Sequence, residues 1–568
     1  MKLKQQTNEP WWKKAVVYQI YPKSFLDTTG SGTGDINGVT KKLDYIKQLG
    51  ADCIWLTPMY ESPQHDNGYD ISDYTKIHDM YGTMADFEHM LKEAHDRGIR
   101  VIMDLAVNHT SIFHEWFQAS RESKDNPYRD YYIWKEPKAD GSPPNDWQSK
   151  FGGPAWELDE ETGEYYLHLY DVTQADLNWE KDEVRRQVYD IMHFWFEKGI
   201  DGFRLDVINN ISKDQRFLDD AGQSVQGDGR MYYTDGPRIH EFLHEMNQEV
   251  FSKYDSMTVG EMSSTNIADC IRYTRPDRQE LDMTFNFHHL KVDYPNGEKW
   301  ALAPFDFQEL KSILSEWQTK MHEGGGWNAL FWCNHDQPRI VSRYGDDETY
   351  HQQSAKMLAT TIHLMQGTPY IYQGEEIGMK NPQFEDISSY RDIESLNMYE
   401  AMLEKGKSKE EALAILQVKS RDNARTPMQW TSEKNAGFSK GTPWIEPANN
   451  DISVQASLKD KTSIFYHYQA LCKLRKELDV ITYGSFTLLL ADDPKVFAYV
   501  RESGEEKLLV INHFYAGETD FTLPDELVQA VDEMEGQVLL SNYEDVPADM
   551  KGFTLRPYES IVYHLTKR

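Results

Sequence analysis

Eight short apolar runs punctuate the first two-thirds of the chain, at 15–22, 51–58, 100–107, 201–208, 257–262, 280–287, 328–335 and 368–373. Between them lie amphipathic stretches, such as 183–198 and 240–253, with apolar residues at helical spacing. Strand alternating with helix predicts a parallel sheet covered by helices, and eight such units are the number needed for an α/β (β/α)₈ TIM barrel. The connection after the third run is unusually long. From about Thr110 to Trp179 it carries Pro, Gly and Trp and has no clear helical period. After about residue 488 the pattern changes to short alternating strands, such as 496–500 and 507–511, which predict a C-terminal antiparallel β-sandwich domain.

The polar residues of the apolar runs collect at their C-terminal ends, where a barrel keeps its chemistry. The run Asp201-Gly-Phe-Arg-Leu-Asp-Val-Ile208 places Arg204 and Asp206 two apart, on the same side of a strand. An arginine beside a buried carboxylate favours its ionised form, and an ionised, positioned carboxylate can attack an anomeric carbon. Met257-Thr-Val-Gly-Glu-Met262 ends in Glu261, which desolvation in a cleft would keep protonated as a general acid. Two further ends bring Asp104, Asn108 and His109, and His335 with Asp336. One such strand end reads as a satisfied structural group. Four converging ends read as a glycoside-cleaving site, which needs one ionised and one protonated carboxyl.

These four segments resemble, in order and spacing, the signature regions of the α-amylase family, glycoside hydrolase family 13. Gln174-Ala-Asp-Leu-Asn178 resembles the Gln-Pro-Asp-Leu-Asn box of its oligo-1,6-glucosidase branch, with Ala175 in place of proline. The likeness runs from about Trp11 to the C-terminus and includes Asp66-Asn-Gly-Tyr-Asp70 and Arg421-Asp-Asn-Ala-Arg-Thr-Pro-Met-Gln-Trp430. It implies a catalytic barrel at 1–109 and 180–487, an inserted B domain at 110–179 and a β domain at 488–568. It also implies that Asp206 is the nucleophile, Glu261 the acid and base, and Asp336 the residue that favours the distorted transition state. Arg204 would orient Asp206, and Tyr69, His109 and His335 would contact sugar hydroxyls. Asp66 and Arg425 would grip the terminal glucose and close the pocket. Val207, just after the nucleophile, matches the branch that prefers linkages other than α-1,4.

Composition narrows the choice of partner. The chain has 568 residues, a formal net charge of −33 and 13% aromatic residues. Such acidity excludes nucleic acid and anionic membrane as expected partners. The N-terminal stretch Met1–Pro10 has no apolar core, and no 18-residue apolar run occurs, which predicts a cytoplasmic protein. Four scattered cysteines predict neither a zinc ribbon nor a disulfide scaffold. No cofactor or metal is expected. The stretch Asp27-Thr-Thr-Gly-Ser-Gly-Thr-Gly-Asp35 lacks two oxygen ligands of the family's calcium loop.

One segment points to a particular substrate. Phe285-Asn-Phe-His-His-Leu-Lys-Val-Asp-Tyr-Pro-Asn-Gly-Glu-Lys299 gathers His288, His289, Lys291 and Lys299 at a C-terminal strand end of an acidic protein. Lysine offers phosphate a point charge and histidine adds donors. The stretch resembles the branch of the family that acts on a phosphorylated disaccharide. The expected reaction is retaining hydrolysis of trehalose 6-phosphate to glucose and glucose 6-phosphate, by a monomer or weak homo-oligomer. Hydrolysis of short isomalto-oligosaccharides is the alternative. Transglycosylation is a further possibility, and a non-catalytic carbohydrate-binding protein is the reading from a different class.

Overall fold

The computed structural model describes residues 9–567 apart from 225, 449 and 548. Residues 1–8 of the N-terminal stretch considered above therefore lie outside the described residues. Eight parallel strands form the central sheet: β1 (Val17–Ile20), β2 (Cys53–Leu56), β3 (Arg100–Ala106), β4 (Gly202–Asp206), β5 (Met257–Glu261), β6 (Met283–Phe285), β7 (Ala329–Leu330) and β8 (Thr368–Tyr372). Their order is β6-β5-β4-β3-β2-β1-β8-β7, and a parallel bridge between Thr284 and Asn328 brings the two edges together. Every predicted strand is present. The sixth and seventh are shorter than predicted, because beyond Phe285 and Leu330 the chain turns out of the ladder. The Phe331 carbonyl, for example, is met by the His289 ring instead of a neighbouring strand, 2.8 Å away.

Local rules account for the elements. In helix α1 (Asp182–Lys198), Val184, Val188, Met192 and Trp195 are buried at helical spacing, and Gly199 ends it in a left-handed conformation. Gly202 opens β4 at φ +152°, where a Cβ would fall 1.9 Å from the Met257 carbonyl oxygen. Only glycine allows β4 and β5 this close approach.

After β3 the chain leaves the barrel. His109–Ser111 pairs antiparallel with Gln174–Asp176, and Trp134–Lys135, Glu164–Leu167 and Trp156–Asp159 form a small sheet. Its core of Trp147, Trp156 and Leu167 also takes in Phe217, Tyr232 and Tyr233, which follow β4 in sequence. After β8, helices α2 (Ile393–Glu404) and α3 (Lys409–Lys419) pack around Tyr390, Tyr399 and Leu416. The C-terminal segment forms a five-stranded antiparallel sheet: β9 (Ser485–Leu489), β10 (Val496–Ser503), β11 (Glu506–His513), β12 (Met534–Ser541) and β13 (Ser560–Lys567). Among the described residues, no helix is long and apolar enough to cross a membrane.

Candidate active site

A cavity opens at the C-terminal ends of the barrel strands. Asp206, Glu261 and Asp336 line it, together with Asp66, Tyr69 and His109. Arg204 lies beneath it, fully buried. Its guanidinium donates to Asp206 at 2.6 Å and to Asp104 at 2.8 Å, and it also pairs with Glu261. One cation thus holds both strand-end carboxylates, and the same-side placement of Arg204 and Asp206 on β4 is what permits it. Burial pushes the Glu261 carboxyl well above the ordinary glutamate range. Arg204 opposes that shift, and the charges of Asp206 and Asp336 add to it.

Asp336 is treated in the opposite way. Burial works against its ionisation, but the guanidinium groups of Arg421 and Arg425 hold the carboxyl well below the usual range. Arg425 donates to Asp336 at 2.6 Å and to the His335 carbonyl at 2.8 Å. The buried His335 ring sits between Gln19 at 2.9 Å and the Tyr69 hydroxyl at 2.7 Å, and burial pushes its pKa down to about 3. The cavity therefore contains one carboxyl, Glu261, biased towards the protonated form an acid of glycoside cleavage needs, and another, Asp336, biased towards its ionised form.

The expected glucose clamp is corrected by the geometry. Asp66 meets Arg421, not Arg425: Arg421 Nη2 lies 3.1 Å from Asp66, and Arg421 lines the cavity. Arg421 is held from behind by Asp392 at 2.5 Å, while Arg425 is turned beneath Asp336. Both arginines flank one 3₁₀ turn, Arg421–Ala424. The sequence did not reveal which of the two faces inward. Gln174 donates to Asp66 at 3.0 Å from the other side. Burial raises Asp66 to about 7 against the pull of Arg421 and Arg425.

The expected phosphate cluster divides. Lys291 and Lys299 line the cavity, whereas His288 and His289 are absent from its lining. Both histidines lie in a 3₁₀ turn, and their rings bond to backbone carbonyls: His288 to Thr265 and His289 to Phe331, each at 2.8 Å. Burial lowers both pKa values, His289 to about 4. Neither ring is therefore a cationic donor near neutral pH, and neither lines the cavity as the expected phosphate cluster would require. Sequence reasoning overlooked Lys150 and Phe151 in the insertion, Tyr170, Arg421, and Glu394 on α2, all of which line the cavity. Arg421 and Tyr170 lay in or beside recognisable motifs. Lys150 had no periodic context to mark it.

Two buried features lie at this floor, and a loop outside the cavity lining bears on metal binding. Lys213 bonds Asp176 at 2.8 Å and Asn108 at 2.7 Å, tying the base of the insertion to the segment after β4. Val207, beside Asp206, adopts φ +38° and ψ +38°. For a β-branched residue this is a strained conformation, and such outliers gather where chemistry fixes the backbone. In the Asp27–Asp35 loop, donors rather than oxygens converge on Asp27. The N–H groups of Thr29, Gly30 and Gly32 and the Ser439 hydroxyl bond to it at 2.9, 2.9, 2.8 and 2.5 Å. That donor set does not suit calcium, which takes roughly six to eight oxygens.

The model of the α-amylase catalytic domain matches residues 19–484, and that of the SusG-type α-amylase C-terminal domain matches 496–562. The chain belongs to the α-amylase family. Its relatives include a trehalose-6-phosphate hydrolase of Bacillus subtilis (strain 168), 67% identical over 98% of this chain and 99% of the relative. An oligo-1,6-glucosidase of Parageobacillus thermoglucosidasius is 54% identical over 98% and 99% respectively. Among solved structures, the Bacillus licheniformis trehalose-6-phosphate hydrolase superposes with a TM-score of 0.94 at 67% identity, covering 98% of this chain and 100% of that one.

Proposed function

We propose that this α-amylase-family glycosidase hydrolyses trehalose 6-phosphate to glucose and glucose 6-phosphate with retention at the anomeric carbon. The observation that carries this reading is the set of lysines, Lys150, Lys291 and Lys299, lining the same cavity as the three carboxylates of an otherwise acidic protein. The high identity to relatives named trehalose-6-phosphate hydrolase supports it.

In the first step Asp206 attacks the anomeric carbon of the unphosphorylated glucose. The bond to the bridging oxygen breaks, and the Glu261 proton passes to that oxygen, so glucose 6-phosphate leaves as a neutral alcohol at the cleaved position. In the second step the Glu261 carboxylate takes a proton from water, which displaces Asp206 and releases glucose. Each step inverts the anomeric carbon, so the product keeps the α configuration. Asp66 and Arg421 hold the hydroxyls of the transferred glucose, and Asp336, kept ionised by its arginines, favours the charged transition state. Tyr69 and His109 contact the same ring. The enzyme acts in the cytoplasm; the four buried cysteines, all free thiols, suit a reducing compartment.

The test is product analysis. Proton NMR in the first minutes should show α-glucose appearing before the β anomer, with one equivalent of glucose 6-phosphate. Early β-glucose, or an absence of glucose 6-phosphate, would contradict the assignment.

A further inference from the structure

The lysines of the cavity are not equivalent. Lys299 is occupied: both oxygens of Glu394 accept from it at 2.8 Å, and Glu394 also lies 3.5 Å from Arg421 Nε. A carboxylate at this point repels a phosphate and suits hydroxyls, which can accept from the ammonium and donate to the acid. Lys291 is different. It lines the cavity, and among the described residues no carboxylate is paired with it or raises its pKa. Lys150 comes from the insertion, keeps 16% of its side chain exposed, and lines the same cavity. Its ammonium is 3.1 Å from Asp228, but Asp228 is shared with Arg230, which donates to it through Nε at 2.8 Å and Nη2 at 2.7 Å. Arg230 also reaches the Ser264 hydroxyl at 3.2 Å, and Ser264 lines the cavity.

Four cations, Lys150, Arg230, Lys291 and Lys299, thus face two carboxylates, Asp228 and Glu394. Asp228 and Glu394 offset only two of these four charges, and the local excess equals in size the charge of a phosphate monoester dianion. Burial and the neighbouring Arg230 charge, with a smaller contribution from Lys291, lower Lys150 to about 8. Burial, Arg230 and Lys299 do the same to Lys291, also to about 8. A buried excess of like charge is costly unless an anion joins it.

We propose that Lys150 and Lys291 together form the phosphate site, bridging the insertion and the segment after β6, and that Lys299 with Glu394 holds hydroxyls of the leaving sugar instead. This rests on the phosphosugar reading above and reassigns its contacts. Lys150 is then a specificity-determining residue supplied by the insertion, and Arg230 positions it by competing for Asp228.

The experiment compares kcat/KM on trehalose 6-phosphate with kcat/KM on neutral p-nitrophenyl α-glucoside in the intact enzyme. Lys150→Met should lower the ratio of the two by roughly tenfold to a hundredfold, as for loss of one charge-assisted contact. Inhibition by glucose 6-phosphate should weaken in parallel, and Lys150→Arg should restore much of both. Glu394→Gln should leave inhibition by inorganic phosphate in place or strengthen it. If Lys150→Met keeps the wild-type ratio while Lys291→Met lowers it, the assignment of Lys150 is overturned and the phosphosugar reading stands. If Lys150→Met lowers both activities equally, Lys150 is structural and the assignment is likewise overturned. If the wild-type enzyme shows no preference for trehalose 6-phosphate over trehalose, both readings fall.

Discussion

At the scale of single residues, chemistry was legible wherever a strand fixed the direction of a side chain. Arg204 and Asp206 had to share a face of β4, and Glu261 had to end β5. Direction was lost in 3₁₀ turns and loops. His288 and His289 are basic by type, yet their turn aims them at carbonyls. Arg421 and Arg425 belong to one turn, and it is Arg421, not the expected Arg425, that meets Asp66. Arg421→Ala should therefore lower kcat/KM for disaccharides by roughly tenfold to a hundredfold, mainly through KM, as steady-state rates will report. A larger loss in kcat than in KM would place it with the reacting atoms instead. Glu261 governs pH dependence. Its pKa is raised in the fold, so the proton needed for cleavage survives to higher pH than in an ordinary glutamate and is lost on the alkaline side. Glu261→Gln should remove that alkaline limb and lower kcat by about 10²–10⁴ on p-nitrophenyl α-glucoside, where the phosphate lysines play no part. An unchanged alkaline limb would assign it to another group.

At the scale of elements, the barrel was readable because eight apolar runs and the helices between them carry different periods. The insertion was readable only as a long aperiodic connection. Its small sheet shares a core with Phe217, Tyr232 and Tyr233, a long-range association that no local pattern signals. Helices α2 and α3 went unanticipated, although α2 brings Glu394 to the cavity and Asp392 behind Arg421. The seam between insertion and barrel depends on the Lys213–Asp176 pair, both members almost wholly buried. Removing one partner leaves the other charge buried and unpaired. Lys213→Met should cost about 3–5 kcal/mol in urea unfolding followed by circular dichroism. A loss under about 1 kcal/mol would mean that water reaches Asp176 and that the pair is not what fastens the seam.

For the whole molecule, a net charge of −33 must be reconciled with an anionic substrate. Screening does so. Surface charges fade over roughly 8–10 Å at physiological salt, whereas charges inside a cavity are screened far less. The substrate therefore meets the lysines of the cavity rather than the average of the surface, and composition alone could not have located them. A relative named oligo-1,6-glucosidase is 54% identical over 98% of this chain, so the proposed preference for a phosphosugar is placed in the cations of the cavity rather than in the barrel. The most direct measurement is the initial rate on trehalose 6-phosphate, trehalose and isomaltose at equal, subsaturating concentration. The account predicts that trehalose 6-phosphate is cleaved at least tenfold faster than either neutral sugar. Faster cleavage of isomaltose would contradict it, leaving the carboxylates in their roles and the lysines without a phosphate to bind.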